Sequence, residues 1–303
     1  NTGGIDVSVS GGNTPYSYEW ENGLGASVGN TEDLTNVPSG TYEIVVEAPN
    51  GGCTDSMTFV IEQPTEALNA SAVTTNVDCF GNSTGSIDVS VWGGTPPYGY
   101  SWDTGQTTED ISGLSSGSYT LTITDNKGCT YQQTYVISQP ALLTGTMSAV
   151  DVLCNGNSSG TVSISVSGGS TPYSYSWQNS QTVLTANSAS LNNVPAETYQ
   201  VTVTDAQGCT FTASQVVTEP ALLTLSAVVT DVNCNGGSDG EIDLSVSGGV
   251  GPFDYVWTNS IPNTVGSTED LSGIPAEEYT VEVTDDNGCI ETLTETVTEP
   301  LSP

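Results

Sequence analysis

Residues 240–249 read Gly-Glu-Ile-Asp-Leu-Ser-Val-Ser-Gly-Gly, and residues 252–257 read Pro-Phe-Asp-Tyr-Val-Trp. In the first stretch Ile242, Leu244 and Val246 alternate with polar residues; in the second Phe253, Tyr255 and Trp257 do the same. A period of two places one row of side chains on one face of a sheet, so both stretches read as half-buried strands. Gly248, Gly249 and Pro252 interrupt the pattern between them.

The same grammar recurs along the chain. Four near-copies end at Pro64, Pro140, Pro220 and Pro300, with a period of 76 residues once and then 80 twice. The third copy fills the slots with Val162, Ile164 and Val166, then Tyr173, Tyr175 and Trp177. The expected domains are therefore residues 1–64, 65–140, 141–220 and 221–303. The first lacks its first strand and its leading Cys, so the chain reads as an excerpt from a longer array. Identical modules in series point to a role carried by the string and not by one unique pocket.

Walking the fourth copy gives a first strand from Leu222 to Val232, a second from Glu241 to Ser247, and a third carrying Phe253, Tyr255 and Trp257. A variable connection with Leu271 and Ile274 leads to Tyr279 and the next strand. A turn from Asp285 to Gly288 then closes a hairpin with a last strand from Cys289 to Thr298. No segment reads as an amphipathic helix. Short strands, a core Trp, and a Tyr after a Leu-rich corner match the immunoglobulin-like pattern. The fold expected is all-β: tandem immunoglobulin-like β-sandwich repeats stacked end to end in an elongated rod. Trp20, Trp102, Trp177 and Trp257, with Tyr42, Tyr119, Tyr199 and Tyr279, are core aromatics in this reading. Trp92 replaces Ser10, Ser167 and Ser247 of the other copies and is the exposed-aromatic candidate.

Thirty-five Asp plus Glu face a single Lys127, with no Arg and no His, for a net charge of −34. Phosphate backbones are bound by Lys and Arg, so nucleic acid is excluded as a partner. The charge keeps modules soluble and mutually repelling. No apolar run approaches a membrane span, so direct membrane insertion is not expected.

The run from Cys234 to Gly249 resembles the SprB repeat, as do the Pro-Tyr-x-Tyr-x-Trp of the earlier copies, Asp270-Leu271-Ser272-Gly273, and the stretch from Tyr279 to Cys289. The first copy departs from the pattern at Ala48-Pro49-Asn50-Gly51-Gly52, where a Thr-Asp turn is expected. That family comprises very long surface adhesins of gliding Bacteroidota. The resemblance implies an extracellular filament exported by type IX secretion and carried by the gliding motor, which grips a substratum or surface polysaccharide. Contacts with the secretion and motility machinery would lie outside this chain, and self-association into filaments is a further expectation.

In that extracellular setting the seven cysteines read as disulfide partners. Cys53, Cys129, Cys209 and Cys289 begin the last strand of each copy, and Cys79, Cys154 and Cys234 follow the first. In a sandwich the first strand ends at the pole opposite the last hairpin turn, which separates the two cysteines of one copy by ~30 Å. Pairing across a junction fits that order: Cys79 with Cys209 and Cys154 with Cys289, leaving Cys53, Cys129 and Cys234 to other partners. Pairing within a copy is the alternative if the topology departs from the sandwich, and Cys209 with Cys234 is a third.

Without His there is no Ser-His-Asp or Cys-His arrangement. The adjacent carboxylates Glu277 with Glu278 and Asp285 with Asp286 face opposite ways or lie on a turn, so no enzyme is expected. No cofactor is implied. Calcium is the candidate ion, with Asp125, Asp205 and Asp285 as ligands, helped by Asp151, Asp231 and Glu219 near the junctions. Lys127 cannot supply an isopeptide bond in every module, and Asp55-Ser56-Met57 matches a short O-glycosylation pattern. The function expected is a disulfide-stapled adhesin stalk; the alternatives are a passive spacer presenting a distal domain and a calcium-stiffened adhesion module.

Overall fold

The computed structural model describes residues 3–49, 52–261 and 263–301. Contacts divide the chain into two units: Asn1–Thr75 with Ser86–Ile137, and Asn76–Gly85 with Ser138–Pro303. All the regular structure among the described residues is β-strand.

The first unit holds β1 (Gly3–Ile5), β2 (Ser17–Asn22), β3 (Ser27–Gly29), β4 (Leu34–Val37), β5 (Gly40–Glu47) and β6 (Thr54–Ile61). These form a β1-β4 pair facing a β3-β2-β5-β6 sheet. It also holds β7 (Asn69–Thr75), β8 (Gly85–Trp92), β9 (Gly99–Trp102), β10 (Ile111–Leu114), β11 (Gly117–Thr124) and β12 (Thr130–Ile137). Here the sheets are β10-β8-β7 and β12-β11-β9.

The second unit carries two fuller sandwiches. One has β13 (Thr144–Val150), β14 (Gly160–Ser167), β15 (Ser174–Asn179), β16 (Val183–Leu184), β17 (Ser190–Val194), β18 (Glu197–Thr204) and β19 (Thr210–Val217). The other has β20 (Thr224–Thr230), β21 (Gly240–Ser247), β22 (Asp254–Asn259), β23 (Thr264–Gly266), β24 (Leu271–Ile274), β25 (Glu278–Thr284) and β26 (Ile290–Thr296). In each, a three-stranded sheet (β13-β14-β17, β20-β21-β24) faces a four-stranded one (β16-β15-β18-β19, β23-β22-β25-β26). All pairings are antiparallel. The modules are tandem immunoglobulin-like sandwiches in which the short fourth strand pairs with the third and not with the first sheet.

The alternation read from sequence fills the space between the sheets. Val162 and Ile164 of one sheet meet Trp177, Val201 and Val203 of the other, and Ile242 and Leu244 meet Trp257, Val281 and Val283 in the next module. Trp20, Trp177 and Trp257 are fully buried and Trp102 nearly so. Each indole N–H donates to a backbone carbonyl at 2.8–3.0 Å: Trp20 to Thr31, Trp102 to Thr108, Trp177 to Ser188 and Trp257 to Thr268. The buried ring therefore leaves no polar atom unpaired. Tyr42, Tyr119, Tyr199 and Tyr279 each donate their hydroxyl to the carbonyl four residues upstream, on Pro38, Ser115, Pro195 and Pro275. This pins the corner where the chain crosses between sheets. Tyr119 differs from the core role expected of it: it is only half-buried, whereas the other three are buried.

The connection expected around Leu271 and Ile274 is itself a strand, β24, paired with β21. Its counterparts β4, β10 and β17 share the feature that hides them: one residue in the left-handed region, Asn36 (φ 58), Gly113 (φ 71), Asn193 (φ 56) and Gly273 (φ 70). That residue spaces the two buried side chains three apart, as Leu271 and Ile274, and breaks the period of two.

Candidate functional site

What recurs among the described residues is the construction of the two loops that carry the cysteines. The hairpin turn before the last strand is built on one carboxylate. Asp205 Oδ1 accepts the backbone N–H of Gln207 and of Cys209, both at 2.9 Å, and Oδ2 accepts that of Ser170 at 2.8 Å. The turn closes through Gly208 N–H to Asp205 O at 3.1 Å, with Gly208 at φ 85. Asp285 repeats the set with Asn287, Cys289 and Val250, and Asp125 with Lys127, Cys129 and Thr95. All three aspartates are buried. Burial pushes the Asp205 carboxyl up, but the N–H donors of Ser170, Cys209, Gln207 and Gly208 outweigh it and hold it below the ordinary range. Asp125 is likewise lowered against its burial, by Cys129, Thr95 and Lys127.

In the first module Ala48 stands in place of this Asp, and among the described residues the turn keeps the backbone bond from Ala48 N–H to Cys53 O, at 3.2 Å. Asn50 and Gly51 of that departure lie outside the described residues.

The other loop follows the first strand and is clasped to the end of its own module's last strand. Gly156 N–H donates to Glu219 Oε2 at 2.7 Å, and Gly236 N–H to Glu299 Oε2 at 2.6 Å; Gly81 N–H does the same with Gln139 Oε1 at 2.8 Å. A second bond runs the other way. Thr218 N–H donates to Asp151 Oδ1 and Thr298 N–H to Asp231 Oδ1, both at 2.7 Å, and Ser138 N–H donates to Asn76 Oδ1 at 2.9 Å. The Thr218 donors hold Asp151 below the ordinary carboxyl range. Within the loops, Asp78 is lowered by Thr84, Asn82 and the Cys79 N–H, and Asp239 by Asn233.

These contacts reassign the carboxylates expected at a calcium site. Gln139 replaces Glu219, and Asn76 replaces Asp151, with the hydrogen bond kept. What the position requires is an acceptor oxygen, not a charge. The oxygens of Asp125, Asp205 and Asp285 are likewise engaged by backbone donors. Among the described residues no group of three or more His, Cys, Asp or Glu is placed to hold a metal ion.

The two loops present their cysteines to each other. Cys79 is bonded to Cys209 and Cys154 to Cys289, with Cα atoms 5.7 and 5.6 Å apart. Around the second bridge, Asn287 Nδ2 donates to Leu153 O at 2.8 Å and the Cys289 sulfur lies 3.5 Å from the same oxygen. The Cys209 sulfur sits 3.5 Å from Asp78 O in the same way. Cys53, Cys129 and Cys234 are exposed free thiols. Trp92, at the end of β8 opposite Asn69, is 42% exposed.

The signal for these clasps was in the sequence: a Glu or Gln before each junction proline and an Asp or Asn three residues before Cys79, Cys154 and Cys234. Its meaning emerges only when the loop and the strand end are seen side by side.

Among solved structures the chain is similar to three N-terminal domains of the Hoc outer capsid protein of bacteriophage RB49, at 16% identity and a TM-score of 0.39, over 76% of this chain and 97% of that one. It is similar to the I67–I69 fragment of titin at 14% identity and a TM-score of 0.38, over 80% and 100%, and to the insect immune protein hemolin at 12% and 0.25, over 99% and 96%. No curated protein matches the chain. The SprB repeat model matches four segments of the chain, residues 1–25, 71–107, 146–182 and 226–260, one in each module.

Proposed function

We propose that the chain is part of the stalk of a long secreted adhesin on the cell surface, of the gliding-motility type, which reaches a substratum or surface polysaccharide and grips it. The observation that carries this reading is repetition of the SprB segment in every module. An array of equivalent modules acts through many weak contacts, and multivalency raises avidity without any one strong site. The two disulfides support an oxidising, extracellular location. Export by type IX secretion and coupling to the motor belong to parts of the protein beyond these modules. The absence of His and the engagement of the buried Asp carboxylates by backbone donors support a structural and adhesive role over a catalytic one.

Beads coated with the oxidised four-module protein test the proposal on glass and on polysaccharide-coated surfaces. Retention under flow well above that of beads carrying an unrelated acidic protein supports adhesion. Equal retention assigns the array to the passive spacer role, presenting a distal domain.

A further inference from the structure

Trp92 is placed unlike the other four tryptophans. Trp20, Trp102, Trp177 and Trp257 lie between the sheets, and each indole N–H is bonded to a carbonyl. Trp92 ends β8 on the outer face of the smaller sheet, in line with Ser90 and Asp88. Among the described residues its indole N–H has no partner. The neighbouring β7 sets Asn69 opposite Trp92, Ser71 opposite Ser90 and Val73 opposite Asp88. All six side chains are exposed. Alternation puts them on one face, in a double row about 13 Å long from Trp92 to Asp88.

A second observation comes from the same place in the two modules that follow. Ser167 and Ser247 stand where Trp92 does, and Thr144 and Thr224 where Asn69 does. Each Ser–Thr pair bonds its hydroxyls to each other, at 2.9 and 2.7 Å. In the second module the two side chains make no bond between them. Asn69 Oδ1 accepts the N–H of Ala70 at 2.8 Å, and among the described residues its Nδ2 has no acceptor. A polar pair closed on itself is thus replaced by a large ring beside open donors.

We infer that this face binds a neutral oligosaccharide, with one pyranose ring stacked on Trp92 and the next rings running along Ser90 toward Asp88. The inference rests on the adhesive reading above and gives it a site and a ligand class. A pyranose ring carries C–H bonds on its faces and hydroxyls around its edge. Its C–H face meets the electron-rich face of an exposed indole, and its hydroxyls need donors and acceptors close to that ring. Trp92 Nε1 and Asn69 Nδ2 donate, the Ser71 and Ser90 hydroxyls serve either way, and the Asp88 carboxylate accepts. Val73 adds an apolar contact at the far end. A single exposed apolar side chain specifies no ligand, but an aromatic ring with convergent polar groups does. Charge narrows the class further. Asp88, on a chain of net charge −34, repels uronates and sulfated sugars.

The test titrates the oxidised four-module protein with cellohexaose, laminarihexaose and mannohexaose, and with hexagalacturonate as the anionic probe, by ligand-observed NMR. At least one neutral hexasaccharide should bind saturably with a Kd below about 1 mM. Acrylamide quenching, which reaches Trp92 and not the four buried rings, should fall when that sugar is bound. Trp92→Ser installs the residue the other modules carry and should leave the thermal midpoint unchanged while weakening binding at least about tenfold. Trp92→Tyr, which keeps a ring, should retain most of the affinity. No saturable binding of any neutral hexasaccharide, equal binding by the Trp92→Ser protein, or tighter binding of hexagalacturonate overturns the inference. On beads under flow, a Trp92→Ser protein that holds as well as wild type also overturns this site and leaves the adhesive reading standing. Wild-type beads that fail to hold, although the hexasaccharide binds at Trp92 in solution, do the reverse.

Discussion

Cys154 and Cys289 lie 135 residues apart in sequence with their Cα atoms 5.6 Å apart, each on a loop fixed by hydrogen bonds of its own module. The bridge therefore joins two preformed surfaces and does not have to organise either. In the chain-entropy view, closing a loop of this length stabilises the oxidised protein by about 5 kcal/mol against complete unfolding. Paired Cys154→Ser and Cys289→Ser substitutions should remove that amount in denaturant titrations. They should leave Trp177 and Trp257 buried in native conditions. Loss of either core on removing the bridge would show that the modules do not fold separately.

Tyr199 and Tyr135 should respond oppositely to loss of a hydroxyl. Tyr199→Phe removes the bond to Pro195 O and leaves that carbonyl without its corner donor, costing about 1–2 kcal/mol in its module. The Tyr135 hydroxyl is buried beside Trp102 with no partner, so Tyr135→Phe should be neutral or stabilising by up to about 1 kcal/mol. Urea unfolding followed by tryptophan fluorescence checks both.

Acid should loosen the two cysteine loops. Asp78, Asp125, Asp151, Asp205 and Asp239 are all held below the ordinary carboxyl range in the folded chain. The unfolded chain binds protons first, near pH 4, so their contribution is fully present above that pH and is lost as pH falls through the lower folded values. High salt, which screens the remaining carboxylates, isolates this term. Asp205→Asn should lower stability at neutral pH and flatten the acid dependence.

Glu219→Gln should be nearly silent in thermal melts, because Gln139 already fills that place in another module, and Asp151→Asn should cost only the preference for the ionised form, because Asn76 shows that the amide keeps the bond. Glu219→Ala and Asp151→Ala should lower the midpoint by stranding the N–H groups of Gly156 and Thr218. Neither Gln nor Asn variant should change the difference between melts in chelator and in millimolar calcium. A midpoint that rises by several degrees with calcium, and does so only when Glu219 and Asp151 are intact, would favour the calcium-stiffened reading.

The sandwich was legible because its core obeys simple periods. Trp177 and Val201 fall on the inward rows that alternation assigns, and the order of strands placed the first and last cysteines of one module at opposite poles. The third strand of the smaller sheet was not legible. β24 contains Gly273 in the left-handed region, so its two buried residues are three apart and imitate a loop. The structural part that the carboxylates play was not legible for a different reason. A buried Asp that accepts three backbone N–H bonds and an Asp that binds calcium have the same sequence signature; only the position of Ser170 beside Asp205 separates them.

The two bridges interleave, since Cys154 lies between Cys79 and Cys209, and Cys209 lies between Cys154 and Cys289. Pulled from its ends, a chain without them pays out the 210 residues from Cys79 to Cys289, roughly 730 Å when fully drawn. With both in place the shortest covalent route crosses each bridge and uses only the 55 residues from Cys154 to Cys209, roughly 190 Å. Even if every sandwich along it were torn open, the tether would reach only about a quarter of the length its backbone permits, and a pulling force would be borne by sulfur as well as by sheets.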